Sequence, residues 1–125
     1  MAAELILIIE DNALNLELVR DLLQAKGYRK LEAVNVADGL ALATAHEPNL
    51  ILMDVQLPDA DGVAALERLR AEPGLPSTAV VALTAFAMPG DRERLLAAGF
   101  DDYVSKPIEI HDLLERVHEL CNRGP

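Results

Sequence analysis

Short runs of hydrophobic residues alternate along the chain with longer segments in which hydrophobic residues recur at helical spacing. Five runs are candidate strands, at Leu5 to Ile9, Leu31 to Val36, Leu50 to Met53, Ala79 to Leu83 and Tyr103 to Val104. The first, third and fourth are hydrophobic throughout, which is typical of parallel strands covered on both faces. The second run is more polar, and we interpret it as an edge strand.

Four segments between these runs, and a fifth after the last run, have the three- and four-residue spacing of hydrophobic positions that predicts amphipathic helices. They extend over Leu14 to Leu23, Asp38 to Ala45, Val63 to Leu69, Pro89 to Ala98 and Ile110 to Cys121. Asn12 and Asp61 are candidate N-caps, because their side chains can accept a hydrogen bond from the first turn of a helix. Gly27 and Gly99 stand where the first and fourth helices are expected to end.

The strict alternation of five strands and five helices predicts a doubly wound α/β domain, in which a five-stranded parallel sheet carries helices on both faces. No internal repeat and no linker rich in serine, glycine or proline divides the 125 residues. We therefore expect a single domain over residues 1–125. Ligands of such sheets bind at the carboxyl ends of the strands, so the functional residues are expected there.

Composition and charge exclude several classes of protein. The chain is 51% hydrophobic but only 3% aromatic, which predicts an aliphatic core rather than a disordered chain. Its net charge of −10 repels phosphate backbones and anionic headgroups, so we expect no direct binding to nucleic acid or to a membrane. The single cysteine, Cys121, and the absence of a basic secretory segment favour a cytoplasmic protein. Cys121 is expected to pack as a small hydrophobic residue in the last helix.

Four of the five predicted strands deliver a polar or charged residue at or just after their carboxyl ends. These residues are Glu10 and Asp11, then Asp54, Thr84 and Lys106. Because the carboxyl ends of parallel strands share one edge of the sheet, we expect the side chains to converge. Two like charges about 4 Å apart repel by roughly 4 kcal/mol at an effective dielectric of 20. A hard divalent cation with oxygen ligands relieves this repulsion, and sparse protein ligation suits Mg²⁺.

The residue types at this edge indicate phosphoryl transfer rather than zinc chemistry. No histidine or cysteine is among them, and zinc is therefore not indicated. The three histidines fall on predicted helices and are interpreted as ordinary surface or boundary residues: His46, His111 and His118. Asp54 can attack phosphorus and form an acyl phosphate. Mg²⁺ and Lys106 would neutralise charge on the phosphoryl oxygens, and Thr84 would donate a hydrogen bond to them.

The motifs, taken in order, resemble the receiver domain of two-component response regulators. They are Glu10-Asp11-Asn12, Met53-Asp54 followed by Pro58 and Gly62, Thr84-Ala85, and Tyr103-Val104-Ser105-Lys106-Pro107. The resemblance spans essentially the whole chain. Longer stretches are similar to DivK-type single-domain response regulators, at Glu10-Asp11-Asn12 with Leu14-Asn15, at Leu50 to Pro58, at Leu83 to Met88 and at Ser105 to Ile108. The resemblance implies the CheY-like fold of the flavodoxin type, with strand order 2-1-3-4-5.

The resemblance also implies a role for each matching residue in phosphorylation and switching. Asp54 matches the residue that accepts the phosphoryl group, and Lys106 matches the lysine that binds this group. Thr84 matches the switch hydroxyl, and Tyr103 matches the switch aromatic. From its position at the start of a strand alone, Tyr103 could also be a core aromatic.

The metal site is implied in the same way. Asp11 and Asp54 match direct Mg²⁺ ligands, and Gln56 matches the residue whose backbone carbonyl completes the protein ligands. Glu10 stands where many relatives have aspartate, and both residue types fit an indirect role through water. Pro107 matches a proline that usually follows a cis peptide bond, which would aim the preceding lysine into the site.

The leading hypothesis is a phosphorylation-switched interaction protein rather than an enzyme, with only self-catalysed phosphotransfer and slow autodephosphorylation. A sensor histidine kinase or a histidine phosphotransferase would supply the phosphoryl group from phosphohistidine. The new charge, about −2, would draw Thr84 inward and reorient Tyr103. The face made by the fourth helix, the fifth strand and the fifth helix would then change its affinity for partners. We expect no output domain, so the signal would pass by contact to another kinase or an effector protein.

Three alternatives stay open on the sequence. A haloacid-dehalogenase-type phosphatase has an aspartyl nucleophile, but it carries a second aspartate two residues later, where this chain has Gln56. A flavodoxin-like FMN carrier needs a phosphate loop after the first strand, where Glu10 and Asp11 repel phosphate. The third alternative is a receiver excised from a hybrid kinase.

Overall fold

Strands and helices alternate without exception in the computed structural model, which describes residues 4–57, 61–72, 78–85 and 90–121. The strands are β1 (Leu5–Ile9), β2 (Arg29–Ala33), β3 (Leu50–Asp54), β4 (Ala79–Thr84) and β5 (Asp102–Ser105). The helices are α1 (Ala13–Ala25), α2 (Val36–His46), α3 (Gly62–Ala71), α4 (Asp91–Ala98) and α5 (Ile110–Cys121). The strands are parallel and lie in the order β2-β1-β3-β4-β5. The fold class and the strand order are both confirmed.

The edge strand β2 is displaced from its predicted position. The pattern placed it at Leu31 to Val36, but the strand begins at Arg29 and ends at Ala33. Asn35 instead caps α2, where its side chain accepts a hydrogen bond from the backbone N–H of Asp38 at 2.8 Å. The predicted start was wrong because two basic residues open the strand, and a hydrophobic pattern does not detect them. The predicted end was wrong because the chain leaves the strand before Asn35 to begin α2. An edge strand tolerates such side chains, since their charged ends reach solvent.

The sheet is buried on both faces, and β1 shows how. Leu7 and Ile9 point into one hydrophobic cluster, which is covered by α2, α3 and α4. Ile6 and Ile8 point into the other, which is covered by α1 and α5. Successive side chains of a strand point to opposite faces, so a strand buried on both sides is hydrophobic at every position.

Both predicted N-caps are present. Asn12 accepts a hydrogen bond from the backbone N–H of Asn15 at 3.0 Å, and Asp61 accepts one from Ala64 at 2.9 Å. Pro58, Pro89 and the residues after 121 lie outside the described residues. The predicted start of the fourth helix at Pro89 is therefore not described, and α4 is given as Asp91–Ala98. Within the part of the chain that the structure describes, no helix is long and apolar enough to span a membrane.

Cys121 lies at the end of α5 and packs, partly buried, against the cluster below α1 and α5. Burial, together with the nearby carboxylate of Glu4, raises the pKa of its thiol to about 11. The thiol is therefore protonated at neutral pH and packs as a small hydrophobic residue, as predicted.

Candidate functional site

Three of the side chains predicted to converge at the carboxyl edge of the sheet are in direct contact. The ammonium of Lys106 donates hydrogen bonds to Glu10 Oε1 at 3.0 Å and Oε2 at 3.1 Å, and to Asp54 Oδ2 at 2.9 Å. Lys106 follows β5, whereas Glu10 follows β1 and Asp54 ends β3. The long lysine side chain therefore reaches past the end of β4 to contact Glu10, which is 96 positions away in the sequence, and Asp54, which is 52 positions away.

Burial separates this edge from the remainder of the surface. Among residues 4–57, 61–72, 78–85 and 90–121, the buried polar or charged residues are Glu10, Asp54 and Thr84, which are 0%, 5% and 0% exposed. Burying such groups costs free energy unless they have partners. All three lie at one edge of the sheet, so this edge is where the described part of the chain buries its polar side chains.

Backbone and side-chain donors orient the two buried carboxylates. Asp54 Oδ1 accepts a hydrogen bond from the backbone N–H of Gln56 at 2.8 Å, while Oδ2 faces Lys106. Glu10 Oε1 accepts longer hydrogen bonds, both at 3.4 Å, from the Asn12 backbone and from the side chain of Asn15. Sequence reasoning missed Asn15 as a partner of Glu10, although its place in the first turn of the helix that follows β1 was a usable signal.

Electrostatics keep a single cation shared between the carboxylates. Burial lowers the pKa of Lys106, but the hydrogen bonds to Asp54 and Glu10 outweigh it and hold that pKa above its usual value. Burial also raises the pKa of Glu10, an effect that Lys106 opposes and the charge of Asp54 reinforces. The ammonium is therefore fully charged at neutral pH and balances only part of the local negative charge.

An acidic cluster suited to a metal ion is present at the same edge. Carboxylate oxygens of Glu10, Asp11 and Asp54 all lie within 4.8 Å of one another. Asp11 is exposed, so the cluster opens to solvent on its side. An all-oxygen ligand set with room for water fits a hard cation such as Mg²⁺. The side chain of Gln56 is exposed, and only its backbone lies against Asp54.

The remaining predicted residues lie on the two strands beyond Asp54. Thr84 ends β4, and its backbone carbonyl accepts a hydrogen bond from the Lys106 N–H at 2.7 Å. Tyr103 lies on β5, where it is half-buried and packs against the cluster below α2, α3 and α4. The peptide bond between Lys106 and Pro107 is cis, in line with the expectation.

Gly62 brings the first turn of α3 against the chain that leaves Asp54. Its backbone N–H donates to the Val55 carbonyl at 2.8 Å, and a Cβ added at Gly62 would lie 2.6 Å from the Val55 Cα. A backbone atom cannot turn aside as the end of a side chain can. Only glycine therefore lets the helix approach this closely.

We expect Gly62→Ala to lower the free energy of unfolding by about 1–3 kcal/mol, because the added methyl group overpacks this contact. Gly39→Ala is a matched control, since its Cβ would meet the Ile9 Cδ1 at 2.5 Å, the flexible end of a side chain. That end can rotate, so the loss should be smaller. Urea denaturation of both variants measures the difference, and equal losses would show that the Val55 backbone does not limit the approach.

The fold and the site together define a class, the CheY-like α/β proteins with an acidic cluster and a lysine at the carboxyl edge of the sheet. The family model for the response regulator receiver domain matches residues 6–118. The chain belongs to this family, and its function is that of a receiver in a phosphorelay. The haloacid-dehalogenase-type phosphatases and the flavodoxin-like FMN carriers are other families, so this match favours neither of those alternatives.

Relatives agree with this assignment. The polar-differentiation response regulator DivK of Brucella anthropi is 43% identical over 112 residues, which cover 90% of this chain and 91% of DivK. The receiver domain of the sensor histidine kinase PA1611 from Pseudomonas aeruginosa is 33% identical, with a TM-score of 0.87 over 96% of this chain and 98% of that chain. That structure has a magnesium ion coordinated in its active site cleft.

A third similar structure comes from a complex. It is a chain of the co-crystal structure of the histidine phosphotransfer signalling protein Ypd1 of Saccharomyces cerevisiae with the receiver domain of its downstream response regulator Ssk1. The match is 26% identical with a TM-score of 0.85, over 95% of this chain and 89% of that chain. The matched chain therefore comes from a complex between a histidine phosphotransfer signalling protein and the receiver domain of a response regulator.

Proposed function

We propose that Asp54 accepts a phosphoryl group from a phosphohistidine and that the resulting charge switches the protein contacts of this chain. The observation that supports this most is the shared ammonium of Lys106, which lies 2.9 Å from Asp54 Oδ2 in a site where Asp54 is only 5% exposed. This arrangement presents a carboxylate nucleophile beside a fixed positive charge, as phosphoryl transfer requires.

The transfer step follows from the contacts of Asp54. Its carboxylate oxygen attacks phosphorus, the P–N bond to the donor histidine breaks, and the imidazole leaves with the electron pair and takes up a proton. The Gln56 N–H holds Oδ1, so the carboxylate cannot swing away from the entering group. Lys106 balances the charge on the phosphoryl oxygens, and Thr84 donates a hydrogen bond to one of them.

Asp11, Asp54 and the Gln56 carbonyl would hold Mg²⁺ directly, with Glu10 acting through water. When bound there, the ion supplies positive charge to the phosphoryl oxygens and relieves repulsion between the carboxylates. The cluster of Glu10, Asp11 and Asp54, whose oxygens lie within 4.8 Å of one another, supports this assignment. The magnesium-containing receiver domain of PA1611 supports it as well.

The switch would run through the ends of β4 and β5. The Lys106 N–H already bonds the Thr84 carbonyl, so a movement of Thr84 toward a phosphoryl group is transmitted to β5, where Tyr103 lies. We propose that Tyr103 then reorients and alters the face made by α4, β5 and α5. A charge of about −2 on phosphorylated Asp54 provides the driving force.

The proposed partners are a sensor histidine kinase or a histidine phosphotransferase upstream, and a kinase or effector protein downstream. The likeness to DivK over 91% of its length supports a regulator that works as a single receiver domain without an output domain. Its only chemistry would be self-catalysed phosphotransfer and slow autodephosphorylation. The alternative of a receiver within a hybrid kinase stays open, because the PA1611 receiver is also similar. A cytoplasmic location stays a prediction.

Phosphoryl uptake from acetyl phosphate tests the proposal. Wild-type protein should incorporate phosphate with Mg²⁺ and none in EDTA. Asp11→Asn should raise the Mg²⁺ concentration for half-maximal uptake by at least about tenfold, because it removes a ligand charge. Asp21→Asn is the control, since Asp21 is an exposed aspartate of α1 paired with Arg20. Undiminished uptake in EDTA, or an Asp11→Asn variant with unchanged Mg²⁺ dependence, would contradict the proposed metal site.

A further inference from the structure

Arg116, on α5, connects the groups that surround Tyr103. Its Nη1 donates to Asp102 Oδ2 at 2.7 Å, and its Nε donates to Asp112 Oδ1 at 2.9 Å. The guanidinium carbon lies 6.0 Å from the centroid of the Tyr103 ring. Asp102 Oδ1 in turn accepts a hydrogen bond from the Tyr103 backbone N–H at 2.8 Å. The carboxylate of Asp102 thus joins Arg116 to the backbone of Tyr103, and Arg116 also lies near the ring of Tyr103.

The guanidinium is held independently of the ring. Asp102 belongs to β5 and Asp112 to α5, and the two carboxylates bind different nitrogens of the planar group. The side chains of Arg116 and Asp102 are 32% and 22% exposed, so solvent screens the ion pair only in part. A movement of the Tyr103 side chain would therefore leave the cation in place and change its distance to the ring.

We propose that Arg116 is a positioning residue. It stabilises the ring of Tyr103 in the position that the ring has while Asp54 is unphosphorylated. The inference rests on the proposed function, in which Tyr103 reorients after Asp54 is phosphorylated. A cation near an aromatic face attracts it, and the attraction is lost when the ring turns away. At a partly exposed site this favours the present ring position by about two- to fivefold in population. Arg116 therefore sets how readily the switch turns.

The tyrosine content of the chain makes the ring directly observable. Tyr28 and Tyr103 are the two tyrosines, and the chain has no tryptophan. In a Tyr28→Phe background, incorporated 3-fluorotyrosine gives one fluorine resonance, which reports Tyr103 alone. Its position in the free protein and in the protein saturated with Mg²⁺ and beryllofluoride, a phosphoryl mimic, defines the two ends of the scale.

Arg116→Met keeps an unbranched stem that packs like the aliphatic part of arginine and removes the cation. We expect it to move the resonance of the free protein toward the beryllofluoride end, equivalent to a two- to fivefold gain in that population. Arg116→Lys should restore part of the shift, because it keeps the charge without the fork. Arg20→Met is the matched control, since Arg20 also lies near two carboxylates, Asp21 at 3.3 Å and Glu32 at 3.7 Å, and is 34% exposed. It should leave the resonance unchanged.

A purely structural role would lower the urea midpoint of Arg116→Met without moving the resonance, and that result would overturn the inference. In this case the beryllofluoride shift of the wild-type protein would still stand, so the proposed switch would survive. A wild-type resonance that does not respond to beryllofluoride would instead refute the reorientation of Tyr103, and the inference with it. Phosphoryl uptake by the same protein preparation without beryllofluoride then shows whether the acceptor chemistry holds.

Discussion

Lys106→Met is expected to lower the free energy of unfolding in EDTA by about 3 kcal/mol, the cost of removing one partner from a buried ion pair. Lys106 lies within 3.1 Å of three carboxylate oxygens, and the side chains of Glu10 and Asp54 are 0% and 7% exposed. Methionine has a similar length but leaves two buried carboxylates facing each other. Urea denaturation monitored by circular dichroism measures the loss.

Mg²⁺ should return part of this stability, because a divalent cation supplies the missing positive charge. Phosphoryl uptake with saturating Mg²⁺ should nevertheless fall by about 100-fold or more, as when one preorganised donor to a developing charge is removed. Lys26→Met is the control, since Lys26 is exposed beyond the end of α1. A Lys106→Met protein as stable as wild type in EDTA would show that the ammonium does not hold the two carboxylates together.

Asp54→Asn is expected to abolish phosphoryl uptake while the chain stays folded. A carboxamide is not a nucleophile that forms an acyl phosphate. Its oxygen can still accept the hydrogen bond from the Gln56 N–H, and Lys106 keeps its two contacts with Glu10. After treatment with acetyl phosphate and Mg²⁺, the intact mass of this variant should show no addition of one HPO₃ unit, about 80 Da.

Asp61→Asn is the matched control for this variant. Asp61 also accepts a backbone hydrogen bond, from Ala64 at 2.9 Å, but it is exposed at the start of α3. Asparagine keeps that cap, so phosphoryl uptake should match wild type. Uptake by Asp54→Asn at the wild-type level would contradict the proposed acceptor, provided that its circular dichroism spectrum is unchanged.

The sequence predicted the elements whose environment is simple. β1 and β3 are buried on both faces, so every residue of β1 and every residue of β3 before Asp54 is hydrophobic, and the run marks the strand. Buried Glu10, Asp54 and Thr84 could be placed at one edge because the carboxyl ends of parallel strands meet there. The edge strand β2 was misplaced, since one of its sides faces solvent and charged residues satisfy it as well as hydrophobic ones.

The pattern of hydrophobic and polar residues could not predict contacts that depend on how far a side chain extends. That one ammonium bonds both Glu10 and Asp54 requires the path of the Lys106 side chain across the end of β4, and no spacing encodes it. The close approach of Gly62 to Val55 and the hold of Arg116 on Asp102 likewise join separate elements. The residues were visible in the sequence, but their distances are set by helix packing on the finished sheet.

The position of the phosphoryl group on the chain is the measurement that bears most directly on Asp54 as the acceptor. Borohydride reduces an acyl phosphate to an alcohol and so converts a phosphorylated aspartate into homoserine. After trypsin cleavage, residues 31–68 carry Asp54, whereas residues 1–20 carry Glu10 and Asp11. We predict homoserine at position 54 and unmodified carboxylates at 10 and 11. Homoserine at position 11, with Asp54 intact, would contradict the proposed mechanism.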